Sequence, residues 1–298
     1  MYDLYGNHTL MAYDASRGVN PAGGKTYYVN DVTGNDNNVG SDPEFPFETL
    51  AAAVAACVTG RNDYIFVQQH TAEETLTFAM TKLHVIGLGN GCFDEGGILA
   101  IDGGAAIAVD FSTGNEYCEL AGFDIGGTGA THGIDATQQS MFAHIHHCTI
   151  GNAWLPVVDG IHSTAPGGFN ESTFDHLFLG MSVSGYGMNF SIFTAMIAHC
   201  LFKQNALGCI FLDPQWVNIF NNMFFQSLGQ IVANGWAVDL GVNSSNNLVS
   251  GNKATETGAA VGAANPYRDR SGIAANALLN GWVDNFDSVA LSGAPTFP

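Results

Sequence analysis

The sequence predicts an all-β solenoid, a parallel β-helix built of coils 21–29 residues long. Three observations carry that reading. Two short patterns recur in one fixed order through the middle of the chain. Turn-forming Gly, Asn and His fall at matched places within them. The apolar residues alternate over two to five positions rather than following the 3.6-residue period of helical repeats.

The first pattern is an apolar residue, a spacer, a turn residue, two more positions and a second apolar residue. It reads LAGFDI from Leu120, IHHCTI from Ile145, FDHLFL from Phe174, IAHCLF from Ile197, IFNNMF from Ile219 and, degraded, LVSGNK from Leu248. The second is a small residue followed by an apolar one: AIA from Ala106, GID from Gly133, GIH from Gly160, GMN from Gly187, GCI from Gly208 and AVD from Ala237. Each copy of the second precedes a copy of the first by 10 to 14 residues. A leucine-rich repeat has a similar length, but its Leu and Asn consensus is missing. If each unit is one coil, like positions stack on like. Leu120, Ile145, Phe174, Ile197, Ile219 and Leu248 then form an inward core column, and Gly122, His147, His176, His199, Asn221 and Ser250 a turn column.

Taken in order, residues 1–25 read as an extension or anchor that ends in the flexible NPAGG. The β-helix is expected over 26–255. It opens with a helical plug at 47–58, FETLAAAVAACV, apolar at Phe47, Leu50, Val54 and Val58, to cover the unpaired edges and core of the first coil. Residues 256–298, with Arg268 and Arg270, read as a cap for the far end or a tail that docks on a neighbour.

Composition narrows the partners. A formal net charge of −19, from 27 acids against 8 bases, repels nucleic acid, acidic lipid and polyuronate at long range. The N-terminus MYDLYGNHTLMAYDASRG lacks the basic start, apolar core and cleavage site of a secretory signal. No apolar run reaches the length of a membrane span. Six cysteines, at 57, 92, 118, 148, 200 and 209, are expected to be reduced and mostly buried. Two coil spacings of about 4.8 Å separate Cys148 from Cys200, too far for a bridge.

The stretch YYVNDVTGNDNNVGSDPEFPFETL, from Tyr27, resembles the opening segment of right-handed β-helix proteins of the pectin-lyase-like superfamily. Many phage tailspikes and virion fibres belong to that superfamily. The resemblance reaches about Thr255 and implies a right-handed solenoid. It does not single out a function, because the superfamily mixes lyases, hydrolases, binding proteins and structural spikes.

Four sets of residues are candidates for chemistry. His147, His176 and His199 stack on consecutive coils, where neighbouring imidazoles could share a divalent metal; the plain alternative is a turn ladder with His replacing Asn. The outward column Asp135, His162, Asn189, Ile210 and Asp239 lies beside the small–apolar pattern, and the resemblance places a polysaccharide groove along that sheet. Asp135, His162, Asn189 and Asp239 are therefore the expected ligand-binding residues. Asp135 and His162 with Asp159 are the catalytic candidates, and Asp135 with Asp159 or Asp213 is the carboxyl pair a glycosidase would need. A lyase of this kind needs a basic residue and calcium. Lys203 is the only Lys or Arg between residues 83 and 252, and the acids Asp31, Asp36 and Asp42 lack the calcium-loop spacing. The fourth set is position five of the first pattern, Asp124, Thr149, Phe178, Leu201, Met223 and Asn252. Phe178, Leu201 and Met223 would form an exposed apolar stripe, which marks an interface.

These readings point to a structural virion protein of a bacteriophage, a spike, fibre or capsid-decorating protein made in the host cytoplasm. Its partners would be its own copies in a homotrimer, other virion proteins and a surface polysaccharide, with no cofactor, nucleic acid or membrane. The alternative is a carbohydrate-active enzyme on a neutral glycan, a glycoside hydrolase before a polysaccharide lyase.

Overall fold

The computed structural model describes residues 23–88, 99–112, 114–163, 168–180, 182–190, 192, 194–213, 215–227, 236–257, 267–271 and 280–287. Three long sheets run along the molecule, and every pairing within them is parallel. Sheet I has ten strands, from Thr26–Asn30 through Glu119–Ala121, His144–His146 and Thr173–Asp175 to Gly281–Val283. Sheet II has eight, among them Asp124–Gly126, Thr149–Ile150, Phe178–Gly180, Leu201–Lys203 and Met223–Ser227. Sheet III also has eight, among them Ile107–Phe111, Ala130–Asp135, Val157–His162, Tyr186–Phe190, Gly208–Leu212, Trp236–Leu240 and Tyr267–Asp269. The chain visits I, II and III in turn and returns one coil further on. The fold is a right-handed parallel β-helix, the hand expected when parallel strands are joined by crossovers.

The core is three inward columns. Sheet I contributes Leu120, Ile145, Phe174, Ile197, Ile219 and Val249; sheet II Ile125, Ile150, Leu179 and Phe202; sheet III Ile134, Ile161, Met188, Ile210 and Val238; each is fully buried. The small–apolar pattern has a packing cause. A Cβ on Gly133 would stand 2.6 Å from Ile150, one on Gly160 3.4 Å from Leu179, and one on Gly187 2.9 Å from Phe202. Each glycine thus lies against a sheet II core residue of the next coil. A Cβ on Gly160 or Gly187 would come closer still to a carbonyl of the next sheet III strand, Gly187 O at 2.4 Å and Cys209 O at 2.8 Å. The apolar residue after each glycine is also inward, so the strand turns two consecutive positions to the core.

Sheet I is bracketed by two columns of left-handed backbone. At its end stand Gly122, His147, His176, His199, Asn221, Gly251 and Asp284, with φ between 51 and 84°. Before it stand Asn62, Lys82, Tyr117, Phe142, Glu171, Thr194, Trp216 and Asn246, with φ between 50 and 69°. Gly tolerates that region freely, and Asn, Asp and His are enriched there. This explains the histidines of the first column.

Three expectations need correction, all by one residue. In the degraded repeat Val249, not Leu248, pairs with Ile219, which puts Gly251 rather than Ser250 in the turn and Lys253 rather than Asn252 beside Met223. Adjacent apolar residues left that register open, and the left-handed turn decides it. In sheet III, Gly208 sits opposite Tyr186, so Ile210 points inward and Phe211 takes the outward place beside Asn189. The Asn ladder expected of the turn column, where stacked turns would let side-chain amides bond from coil to coil, stands one position on. There Asn222, Asn252 and Asn285 are linked at 3.0 Å and 2.9 Å, and each Oδ1 also accepts a backbone N–H from the coil before.

At the N-terminal end the helix is shorter than expected, Leu50–Ala56, with Leu50 and Ala53 buried. Phe47 bridges to Val29 before the helix starts, and Val58 is exposed. The opening acids tie this segment to later parts of the chain. Asp36 accepts from the backbone of Glu48 and Thr49, and Asp31 from that of Thr71 and Ala72. Segment 256–298 adds Tyr267–Asp269, Gly281–Val283 and Phe286–Asp287 to the three sheets, so the coils run past residue 255. Residues 1–22 and Cys92 lie outside the described residues. Cys57, Cys118, Cys148, Cys200 and Cys209 are buried and form no disulfide among the described residues. Among the described residues no helix is long and apolar enough to cross a membrane.

The helix is tied down by a buried pair. Glu74 accepts the Leu50 and Ala51 N–H groups at 3.0 Å and 2.7 Å. His70 donates Nε2–H to Glu74 at 3.1 Å and Nδ1–H to the Ala100 carbonyl at 2.7 Å, so both ring nitrogens donate only in the imidazolium form. Burial works against the charge on His70, but these two bonds outweigh it and raise its pKa above the ordinary 6.5. Burial likewise opposes ionised Glu74, yet His70 and the helix amides hold it below the ordinary 4.5. His70 therefore stabilises fully below 6.5 and loses its contribution as pH rises through the raised value. Glu74 stabilises above 4.5 and loses its contribution as pH falls through the lowered one. Amide protection of the helix, corrected for intrinsic exchange, is expected to be greatest between these limits and to fall above and below them. A profile flat from pH 5 to pH 9 would refute the charged pair.

Candidate functional site

The outer face of sheet III gathers most of the polar candidates. Register places Asp110, Asp135, His162, Asn189, Phe211, Asp239 and Arg268 in one column across consecutive coils. A second outward row runs through His132, Asp159 and Tyr186. Asp159 pairs with His132, and the Tyr186 N–H donates to Asp159 Oδ1 at 2.7 Å. The two rows exist because Gly160 and Ile161 both turn inward between Asp159 and His162.

Of the proposed trio, Asp135 and His162 meet directly, and Asp159 lies beside them through His132. His162 Nδ1 lies 3.1 Å from Asp135 Oδ1, and the His132 and His162 rings stack at 4.0 Å. His132 Nδ1 lies 3.8 Å from Asp159 Oδ2. Burial, then the neighbouring His162, lowers the His132 pKa. Asp135 is almost wholly buried at 1% exposure, Asp159 is 8% exposed, and the two histidines cover them. Asp213 is not part of this group. It holds the Asn243 backbone and amide at 2.9 Å and 2.7 Å, three coils from Asp135.

Further along the face, Asp239 is fully buried beneath two arginines. Its Oδ1 accepts from Arg268 Nε at 2.9 Å and Arg270 Nε at 3.0 Å, and Arg268 also reaches Oδ2. Arg268 lies over the Trp236 ring at 4.4 Å, Arg270 over Phe211 at 5.0 Å, and Tyr186 stacks on Phe211 at 5.4 Å. Asp239 is thus a support for the arginines rather than a contact for a ligand. Sequence reasoning missed His132, Tyr186, Phe211 and Trp236. The available signal was the residue before each inward glycine, which supplies His132, Asp159 and Tyr186.

The His147, His176 and His199 rings stack at 5.0 Å and 5.1 Å as a ladder of left-handed turns. A second titratable cluster, not foreseen, lies on the outer face of sheet I. Glu119 bonds His84 Nδ1 at 2.7 Å through Oε2 and His146 Nε2 at 2.9 Å through Oε1. Burial would raise the Glu119 pKa, but these hydrogen bonds hold it well below the carboxylate range. Phe178, Leu201 and Met223 pair across consecutive coils on the outer face of sheet II, the first two half-buried and Met223 40% exposed. A cleft of 370 Å³ between sheets II and III is lined by Asn152, Pro156, Ser182, Val183 and Gln204, away from both clusters.

The strands and their coils define the class, a right-handed parallel β-helix. No protein-family model matches the chain, and no curated protein sequence matches it. Among solved structures it is similar to a pectin methylesterase in complex with a hexasaccharide, at 13% identity and a TM-score of 0.43, over 78% of this chain and 66% of that one. It is similar to a rhamnogalacturonan lyase at 15% identity and 0.41, over 78% and 69%. It is also similar to ORF18 of Geobacillus virus E2, at 9% identity and 0.43, over 88% and 60%. The chain therefore spans about two thirds or less of the first and last of these structures.

Proposed function

We propose that the protein is a structural component of a bacteriophage virion, a spike, fibre or capsid-decorating protein, whose sheet III face holds a neutral surface glycan. One observation carries the glycan part: a run of polar side chains, His132, Asp135, Asp159, His162 and Asn189, continues along that face into the aromatic rings of Tyr186, Phe211 and Trp236. Sugar rings lay their apolar faces on aromatic rings such as Tyr186 and Phe211. Their hydroxyls bond to groups of the kind that His162 and Asn189 present. The net charge of −19 favours a neutral glycan over a uronate. The apolar stripe of sheet II supports a role inside an assembly.

A second reading has its own observation. Asp135, Asp159, His132 and His162 converge, and a carboxyl pair with imidazoles beside it is the raw material of a glycoside hydrolase. The triple change Asp135→Ala, Asp159→Ala and His162→Ala separates the two. On the first reading it weakens oligosaccharide binding at least tenfold, leaves assembly intact and has no reducing-end release to abolish. Release of reducing ends by the wild type, lost in the triple variant, replaces the structural reading with the enzymatic one. Immunogold electron microscopy of purified particles checks the virion assignment directly.

A further inference from the structure

We propose that Glu119, His144 and His146 form a binding site for one divalent transition-metal ion of the zinc class on the outer face of sheet I. One ligand atom from each of the three lies within 4.8 Å of the others. Residues two apart on a strand share a face, so His144 and His146 project side by side, their rings 4.1 Å apart. Glu119 comes from the preceding coil as the register partner of His144 and reaches diagonally to His146. A tetrahedral zinc ion with bonds of about 2.0–2.2 Å separates its donor atoms by roughly 3.3–3.5 Å. The Glu119 Oε1 to His146 Nε2 distance of 2.9 Å needs to open only slightly. Asp175, opposite His146 on the next coil, hydrogen-bonds His144 Nε2 through Oδ1 at 3.3 Å.

The ligands are braced from behind, as in metal sites generally. His84 fixes the other Glu119 oxygen, and is itself held by Asn62 at 3.1 Å and stacked on Tyr64 at 4.1 Å. His146 Nδ1 is 2.8 Å from His147 Nδ1, so its second nitrogen is oriented too. The side chains of His146, Glu119 and His144 are 5, 19 and 29% exposed, which leaves one open side for an ion to enter. Two imidazoles with one or two carboxylates suit zinc, copper or nickel and are poor ligands for calcium. The site lies on a different sheet from the glycan face and does not depend on it.

The test is calorimetric titration of the chelator-treated full chain with zinc chloride. One tight equivalent is expected, unaffected by excess calcium, and weakened at least tenfold in His144→Ala/His146→Ala and in Glu119→Gln. His199→Ala should retain it. Zinc should also raise the melting temperature of the wild type, and a chelator should reverse the rise. Should a variant fail to fold, imidazole proton resonances of the wild type decide the matter, since zinc must shift those of His144 and His146. No tight equivalent, its displacement by calcium, or its loss in His132→Ala with retention in the His144/His146 pair would overturn the proposal and leave a hydrogen-bond network alone.

Discussion

Replacing Phe174 by alanine is expected to cost the fold about 3–5 kcal/mol, among the largest losses available to a single change. Phe174 is fully buried between Ile145 and Ile197 in the sheet I column. It also belongs to an aromatic chain through the core. Its ring meets Phe169 edge-on at 5.3 Å, Phe169 meets Phe111 at 5.3 Å, and Phe111 stacks on Phe78 at 4.5 Å. The parallel strands around it cannot collapse into the void without breaking their pairing, so the cavity persists. Urea denaturation should show a lower midpoint at an unchanged slope, and Phe174→Leu should recover most of the loss. A loss below about 1 kcal/mol would mean that the core around Phe174 is loosely packed.

The double change Phe178→Asp and Leu201→Asp is expected to turn the proposed homotrimer into monomers with an intact β-rich far-UV spectrum. Both side chains lie on the outer face of sheet II, in register with Met223, and no core column is touched. Full burial of such a side chain contributes about 1.5–3 kcal/mol, and less here because both begin half-buried. The Phe178 ring already lies across Gly180, which has no side chain to keep it off. Closed symmetry repeats the gain at each contact, so a few kcal/mol per face suffices for assembly. Light scattering decides: a double variant that remains oligomeric places the interface elsewhere on the molecule.

The solenoid was legible because stacking forces chemically similar residues into columns. Ile145, Phe174, Ile197 and Ile219 could be aligned without any contact being known. Register failed where two neighbours served equally well. Leu248 and Val249 are both apolar, and only the need for a left-handed residue at Gly251 chooses between them. Gly208 failed for a related reason, since a glycine marks an inward position in three coils and a place in the outward row, between Tyr186 and Trp236, in the fourth. The polar face was legible in part. Asp135, Asp159 and His162 were found because they flank the glycine motif. His132 flanks it too, before Gly133, but only its stacking on His162 in the next coil shows that it belongs with them. The sheet I cluster was invisible for the same reason: Glu119, His146 and Asp175 come from three coils, and only the fold brings them together.

The glycines of sheet III have a mechanical consequence. Ile150, Leu179 and Phe202 project from one wall of the tube into gaps in another, as keys sit in keyways. A wall that slid along its strands by one residue would drive a Cβ into each key, so the walls resist shear even where few hydrogen bonds join them. Flat layers in a sandwich have no such joint and can slip. Under load along the strands this tube should yield by peeling a whole coil from an end, not by gliding of one sheet over the others.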